Sequence, residues 1–326
     1  MTRHDHSATG ADHLPSGHGP AASGNHHSGH GHGHRHGRDA TDLDWEVLGP
    51  VLENGAEVHL PVYEQAVDWL RTLLAADGGP GPDAVRRVLD VGSGPGVAAC
   101  VLAQAFPGAE VVAVDPGAAL LERVRERAVR LGLGDRVRTH AAEVPDGLDA
   151  LGGADLIWSS KVLHHIGDQR AAVAALAGHL RPGGLLAIAE GGLAPRFLPR
   201  DIGIGRPGLL ARLDAAAEEW FTRMRTALPD TEDAIEDWPA FLADAGLRTP
   251  CTRSFLLDLP APLPTPAREY VVATLTRILE AYGERLDEDD LTTLARLTDP
   301  HDAAGFARRP DAFLLAAQTV HTARAQ

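Results

Sequence analysis

Apolar side chains along this chain follow two rhythms. Residues 44–74 carry them at helical spacing, first Val47, Leu48, Val51 and Leu52, then Val62, Ala66, Leu70 and Leu73. Gly55 and Pro61 interrupt the pattern, which predicts two helices, an N-terminal helical region over 41–76. A turn-rich stretch, DGGPGPDA at 77–84, follows. From Val85 onward, short apolar runs alternate with helical patterns: VRRVLDVG, a helix over 97–105, AEVVAVD, a helix over 118–131, RVRTHAA, ADLIWSS, a helix over 171–180, then GLLAIAE. Strand and helix alternating at this spacing predict an α/β fold, a mostly parallel sheet with helices on both faces.

The alternation loosens after residue 191. Residues 192–326 read as the second half of the same domain, with helical insertions at 194–228 and 264–300 and two last strands. The first insertion carries a helix with Trp220, Phe221 and Met224, apolar side chains that suit packing or an acceptor pocket. WPAFLADAGL predicts a helix before a strand near 251–259. Beyond the proline-rich DLPAPLPTP come helices at 267–282 and 287–297 and a final strand near 313–321.

Composition separates the N-terminus from the rest. Residues 1–40 hold ten of the seventeen histidines and few large apolar side chains, which predicts a disordered tail. Within it His26, His27, His30, His32, His34 and His36 offer imidazoles suited by ligand type to Ni²⁺, Zn²⁺ or Cu²⁺, with no fixed geometry. Adventitious capture and a metal-handling role are both compatible with such a run. The tail's three arginines balance its three aspartates, so the net charge of −15 belongs to the remainder. An acidic body with scattered arginines argues against a nucleic-acid partner and for a small-molecule one. Two cysteines, Cys100 and Cys251, make no disulfide framework, and the first residues lack the apolar segment of a secretory signal. With no apolar run of about 18 residues, the expectation is a cytoplasmic protein off the membrane, monomeric or homodimeric.

Candidate chemistry begins at the first strand-to-helix turn, Asp90-Val91-Gly92-Ser93-Gly94-Pro95-Gly96. Glycines let the backbone approach a ligand closely. The spacing GxGxG differs from the dinucleotide fingerprint GxGxxG, and Asp90 stands two residues before the first glycine. A carboxylate there opposes a pyrophosphate and favours a cationic ligand. The second strand ends at Asp115, where a carboxylate suits a ribose diol. Together these point to a cationic nucleoside without phosphates.

VLDVGSGPG, VVAVDPG, ADLIWSSKVLHHIGD and LRPGGLLAIAE, in this order, resemble the successive motifs of class I S-adenosylmethionine-dependent methyltransferases over residues 85–191. The resemblance implies a Rossmann-like, seven-stranded sheet that binds S-adenosylmethionine across its carboxyl edge. Asp90, Gly92, Ser93, Gly94 and Gly96 would then hold the methionine part and Asp115 the ribose. Ala142 and Glu143 stand where the family often has an adenine-binding aspartate, and Ser159 closes the fourth strand beside the cofactor. LRPGG is expected to be the turn before the fifth strand.

Methyl transfer from a sulfonium is an in-line displacement that chiefly demands alignment. If the acceptor is a hydroxyl, a base takes its proton. LHHIGD is similar to the LHxxxD stretch of small-molecule O-methyltransferases, whose general-base histidine corresponds to His164. His165 is equally near and suits ordering the cofactor pocket, and Lys161, the chain's one lysine, suits the cofactor carboxylate, an anionic acceptor or a plain solvated loop. Upstream, Glu57, His59 and Tyr63 are placed to reach the substrate if the first helices form a lid; a plain exposed helix face is the competing reading. The function expected is methyl transfer to a small molecule, with an oxygen nucleophile. A catalytically silent cofactor-binding module and metal handling through the tail are the alternatives.

Overall fold

A computed structural model describes residues 45–76, 81–144 and 146–326, so the histidine run at 26–36 lies outside the described residues. Two helices, α1 (Trp45–Val58) and α2 (Leu60–Ala75), precede the sheet. Strands and helices then alternate as β1 (Arg87–Val91), α3 (Val97–Ala105), β2 (Glu110–Val114), α4 (Ala118–Arg130), β3 (Val137–His140), β4 (Ala154–Ser160), α5 (Gln169–Gly178) and β5 (Leu180–Arg196). After β5 come α6 (Leu209–Ala227), α7 (Trp238–Asp244), β6 (Arg248–Leu259), α8 (Thr265–Tyr282), α9 (Glu288–Thr298) and β7 (Leu314–Arg324).

The seven strands form one sheet in the order β3-β2-β1-β4-β5-β7-β6. All neighbours from β3 to β5 pair in parallel, and β7 runs antiparallel to both β5 and β6. The fold is therefore Rossmann-like and mostly parallel. Strand alternation sends side chains to two cores. Val88, Leu156 and Trp158 join Leu70, Leu102 and Val124 on one face. Leu89, Val91 and Ile157 join Val173, Leu176 and Phe241 on the other. Chain order reverses between β1 and β4, and in open α/β sheets the crevice at such a switch point, outside the carboxyl ends, is where ligands bind.

The elements sharpen several expectations. The break between the first two helices falls at His59, not at Gly55. Gly55 lies inside α1, where an added Cβ would stand 3.1 Å from the Tyr270 ring. Pro61 sits in the first turn of α2, where no backbone N–H is needed. LRPGG is not a turn ahead of β5 but part of it: Ala154 pairs with Leu180 and Leu156 with Leu185, so residues 181–184 bulge out of register. That strand also continues beyond Glu190, through Gly191 and Gly192 at φ 71° and 130°, where its register against β7 shifts again. Ion pairs hold α1 on α4, with Glu53 bonded to Arg123 (3.2 Å) and Arg127 (3.1 Å) and Glu57 to Arg127 (2.7 Å). No described helix is long and apolar enough to cross a membrane.

Candidate active site

A cavity of about 300 Å³ opens at the carboxyl ends of β1 and β4, beneath α1 and α2. Asp90, Gly92, Ser93, Gly94 and Pro95 form its floor, and Trp158, Ser160 and Lys161 one side. The glycines have separate reasons. A Cβ on Gly92 would collide with Val162 at 2.1 Å, and one on Gly96 would meet Val124 at 2.7 Å. Gly94, at φ 51°, has nothing within 4 Å of that position, so its backbone is open to approach.

Asp90 is 2% exposed, and its Oδ2 has no hydrogen-bond partner; the buried Ser93 Oγ and Trp158 Nε1 are likewise unpartnered. Buried polar atoms without partners are uncommon, and on a cavity wall they mark where a ligand completes the bonding. Burial, reinforced by the Asp115 carboxylate, raises the Asp90 pKa to about 7. A cation bound here supplies what the desolvated carboxylate lacks. The set fits S-adenosylmethionine, whose ammonium matches Asp90 and whose lack of phosphates tolerates two nearby carboxylates.

Asp115 stands slightly aside. Its Oδ2 accepts the Gly94 N–H at 2.9 Å and its Oδ1 the Gly117 N–H at 2.8 Å, tying the glycine loop to the end of β2. Burial raises its pKa, and these two hydrogen bonds oppose the shift.

A second cavity of about 280 Å³ adjoins the first, and His59, Lys161 and Tyr270 line both. Its remaining wall comes from the far strands, with Gly191 and Gly192, Leu193 and Pro195 from β5, Leu257 from β6, and Ala316, Ala317 and Gln318 from β7. His59 is 6% exposed; its Nδ1 lies 2.8 Å from the Gly55 carbonyl and its ring meets Tyr270 edge-on at 5.3 Å. A carbonyl only accepts, so Nδ1 carries the proton and Nε2 the lone pair. Burial, then the Lys161 charge, lowers the His59 pKa to about 4, and the ring is neutral at pH 7.

Lys161 follows β4 directly, in the left-handed region at φ 57°, with its N–H donating to Ala189 O at 3.0 Å. Non-glycine residues rarely hold this conformation, and it recurs at functional sites. The side chain is open to water along the cavity and enclosed by protein elsewhere; desolvation lowers its pKa, against the nearby Glu190 carboxylate.

Other residues singled out by sequence do not line either cavity. Ser159 points the opposite way from Trp158 and Ser160, as alternation along β4 requires, and is buried with its Oγ unpartnered. Gly96 caps α3 against Val124. Ala142 packs against the second core and Glu143 is exposed. His164 Nδ1 donates to Glu190 Oε2 at 2.8 Å, while Glu190 Oε1 accepts the N–H groups of Val162 (2.9 Å) and Leu163 (2.8 Å). His165 stacks on His164 at 4.1 Å, and burial followed by the His164 charge lowers its pKa to about 4. Phe221 packs on His164 at 5.7 Å and Trp220 on Tyr282 at 6.2 Å, while Glu57 is turned to Arg127.

Tyr270, Arg277 and Gln318 are cavity residues that sequence reasoning missed. Gln318 left a trace, a buried amide within the apolar run LLAAQTV. Its Nε2 donates to Ser160 Oγ at 3.0 Å, and its Oε1 is buried without a partner.

Comparison with known proteins converges on the same segment. A family model described as a methyltransferase domain matches residues 89–186. The chain is 40% identical over 102 residues to an uncharacterised protein of Synechococcus sp., a match covering 31% of this chain and 24% of that one. It is 35% identical over 108 residues to a trans-aconitate 2-methyltransferase of Methylobacterium radiotolerans, covering 32% of this chain and 38% of the relative. A trans-aconitate 2-methyltransferase of Variovorax paradoxus is 28% identical over 244 residues, covering 67% and 86%. The first two matches thus span well under half the length of those relatives.

Proposed function

We infer the function from one premise: the chain carries a class I S-adenosylmethionine-dependent methyltransferase domain. From it we propose that the protein transfers the cofactor's methyl group to an oxygen of a small-molecule acceptor held in the second cavity. The observation that carries this reading is the wall common to both cavities, His59, Lys161 and Tyr270, which brings two ligand sites together over an unpartnered Asp90.

The bound cofactor supplies an electrophilic methyl on a cationic sulfur, and the protein's task is alignment in an enclosed site, which contributes about 7–11 kcal/mol to such displacements. Asp90 would hold the ammonium and Arg277, which lines the first cavity, would take the carboxylate, while Asp115 keeps the glycine loop shaped. His59 receives the acceptor's hydroxyl proton on Nε2 while Nδ1–H stays on Gly55. His59 takes the role that sequence suggested for His164, because it borders both cavities and His164 borders neither. His164 and Glu190 instead brace the turn that carries Lys161.

Calorimetry with S-adenosylmethionine tests the cofactor half. Binding to the wild type, weakened at least about tenfold in Asp90→Asn, is expected for loss of a charged partner. No binding to the wild type removes the reading. Transfer of a radiolabelled methyl across a panel of hydroxylated small molecules tests the other half; cofactor binding with no transfer to any of them would favour a silent binding module.

A further inference from the structure

Lys161 is the only lysine in the sequence, and among the described residues no carboxylate lies within ion-pair distance of its ammonium. It is also the one charged side chain lining the second cavity, where Leu193, Pro195, Leu257, Ala316 and Ala317 supply an apolar remainder. Lys161 is exposed to the cavity, so its ammonium, unpaired within the protein and set against an apolar wall, is free to take an anionic ligand. Two sources of a carboxylate are at hand, the cofactor and the acceptor. The cofactor's would be met by Arg277, which lines the first cavity and not the second. Gln318, which lines the same cavity, is 4% exposed and its Oε1 lacks a donor.

Resting on the methyltransferase reading, we propose that the second cavity binds a small organic monoanion bearing a hydroxyl, a hydroxycarboxylate on a short apolar body, with its carboxylate on Lys161. A single cation does not match a tricarboxylate. The hydroxyl lies between two acceptors, His59 Nε2 and Gln318 Oε1. The hydroxyl oxygen forms the new bond to the methyl carbon, the carbon–sulfur bond breaks with its pair remaining on sulfur, and the hydroxyl proton goes to His59. Burial is the main reason His59 is a weak base and the Lys161 charge the second; pairing Lys161 with the acceptor's carboxylate relieves the second.

The test uses the full chain with three probes, 4-hydroxybenzoate, 4-hydroxybenzamide and benzoate, titrated at low salt with and without saturating S-adenosylhomocysteine. The wild type should bind 4-hydroxybenzoate about tenfold or more tighter than the amide and about threefold tighter than benzoate, with or without the nucleoside. Lys161→Gln should erase the preference over the amide and keep its S-adenosylhomocysteine affinity within about threefold, which also reports that it folds. Should Gln not suit the left-handed backbone, Lys161→Asn serves, since Asn tolerates it. Competition between 4-hydroxybenzoate and the nucleoside, or a tenfold loss of nucleoside affinity in a folded variant, would assign Lys161 to the cofactor and overturn the proposal. So would equal binding of acid and amide, or no probe binding. Failure of the wild type to bind S-adenosylhomocysteine overturns the methyltransferase reading instead, and Lys161-dependent binding of the acid is still measurable then.

Discussion

Two histidine-bearing junctions flank the crevice at β1 and β4, and they use the same side chain in opposite ways. His59, between α1 and α2, ties one nitrogen to a backbone carbonyl and leaves the other on the boundary of two cavities. His164, in the turn after β4, ties its Nδ1 to a buried carboxylate and is covered by His165 and Phe221, outside both cavities. A carbonyl fixes a tautomer and adds no charge; a buried carboxylate makes its histidine part of a brace. What surrounds the ring, more than its place in a motif, decides whether it borders a cavity. The comparison breaks most visibly in kinetics. His59→Gln should lower kcat/KM by about 100- to 1,000-fold, the usual weight of a general base, with cofactor affinity within about threefold. His164→Gln should cost less than about tenfold. Equal losses would abolish the distinction.

Asp90 sharpens the comparison by separating cofactor binding from proton transfer. Removing its charge in Asp90→Asn should weaken S-adenosylmethionine binding roughly 10- to 150-fold, the worth of a charged hydrogen bond, without shifting the acid limb that His59 sets. Its titration adds a sign. Burial, then Asp115, raises its pKa from 3.8 to about 7. Between those values the free folded protein holds a proton that the unfolded chain has released, so the contribution of Asp90 to the stability of the free protein falls as pH rises through this window. Cofactor affinity moves the other way over the same range, because the ammonium needs the ionised carboxylate. His59 and His165, held neutral, push stability the opposite way and Asp115 the same way in both proteins. The difference between wild type and Asp90→Asn in melting temperature and in calorimetric affinity from pH 4 to pH 8 should therefore carry the two trends.

The first half of this site was legible because its chemistry is local. Asp90, Gly92 and Gly94 lie within five residues of one another on one strand and its loop, and the apolar run around them marks that strand. β4 matched its apolar run, ADLIWSS, from end to end. The second cavity was not legible, because its wall is assembled from β5, β6, β7 and α8, whose nearness comes from β7 inserting between β5 and β6. Tyr270 reads in sequence as one more residue of an amphipathic helix. Ser159 and Ser160 differ only in the parity of a strand whose facing direction is fixed by tertiary packing. His59 reads in sequence as a lid residue or as part of an exposed helix face, and its rank over His164 depends on which ring borders both cavities, a matter of tertiary packing.

The smallest effect concerns that brace. Glu190 is 4% exposed and holds three donors, the backbone N–H groups of Val162 and Leu163 and the Nδ1 of His164. In Glu190→Gln the carbonyl oxygen still serves the two backbone groups, while the amide NH₂ faces His164 and forces the other tautomer. The loss should be about 1–2 kcal/mol of stability, read from denaturant titration. Lys161 immediately precedes Val162, so a slackened turn should reach catalysis only as a roughly two- to threefold rise in the acceptor's KM, with kcat and its pH profile unchanged. If kcat fell instead by the factor expected for His59→Gln, the Glu190–His164 pair would be handling the proton. The two junctions would then have exchanged roles, and His59 would be the residue that merely orders the lid.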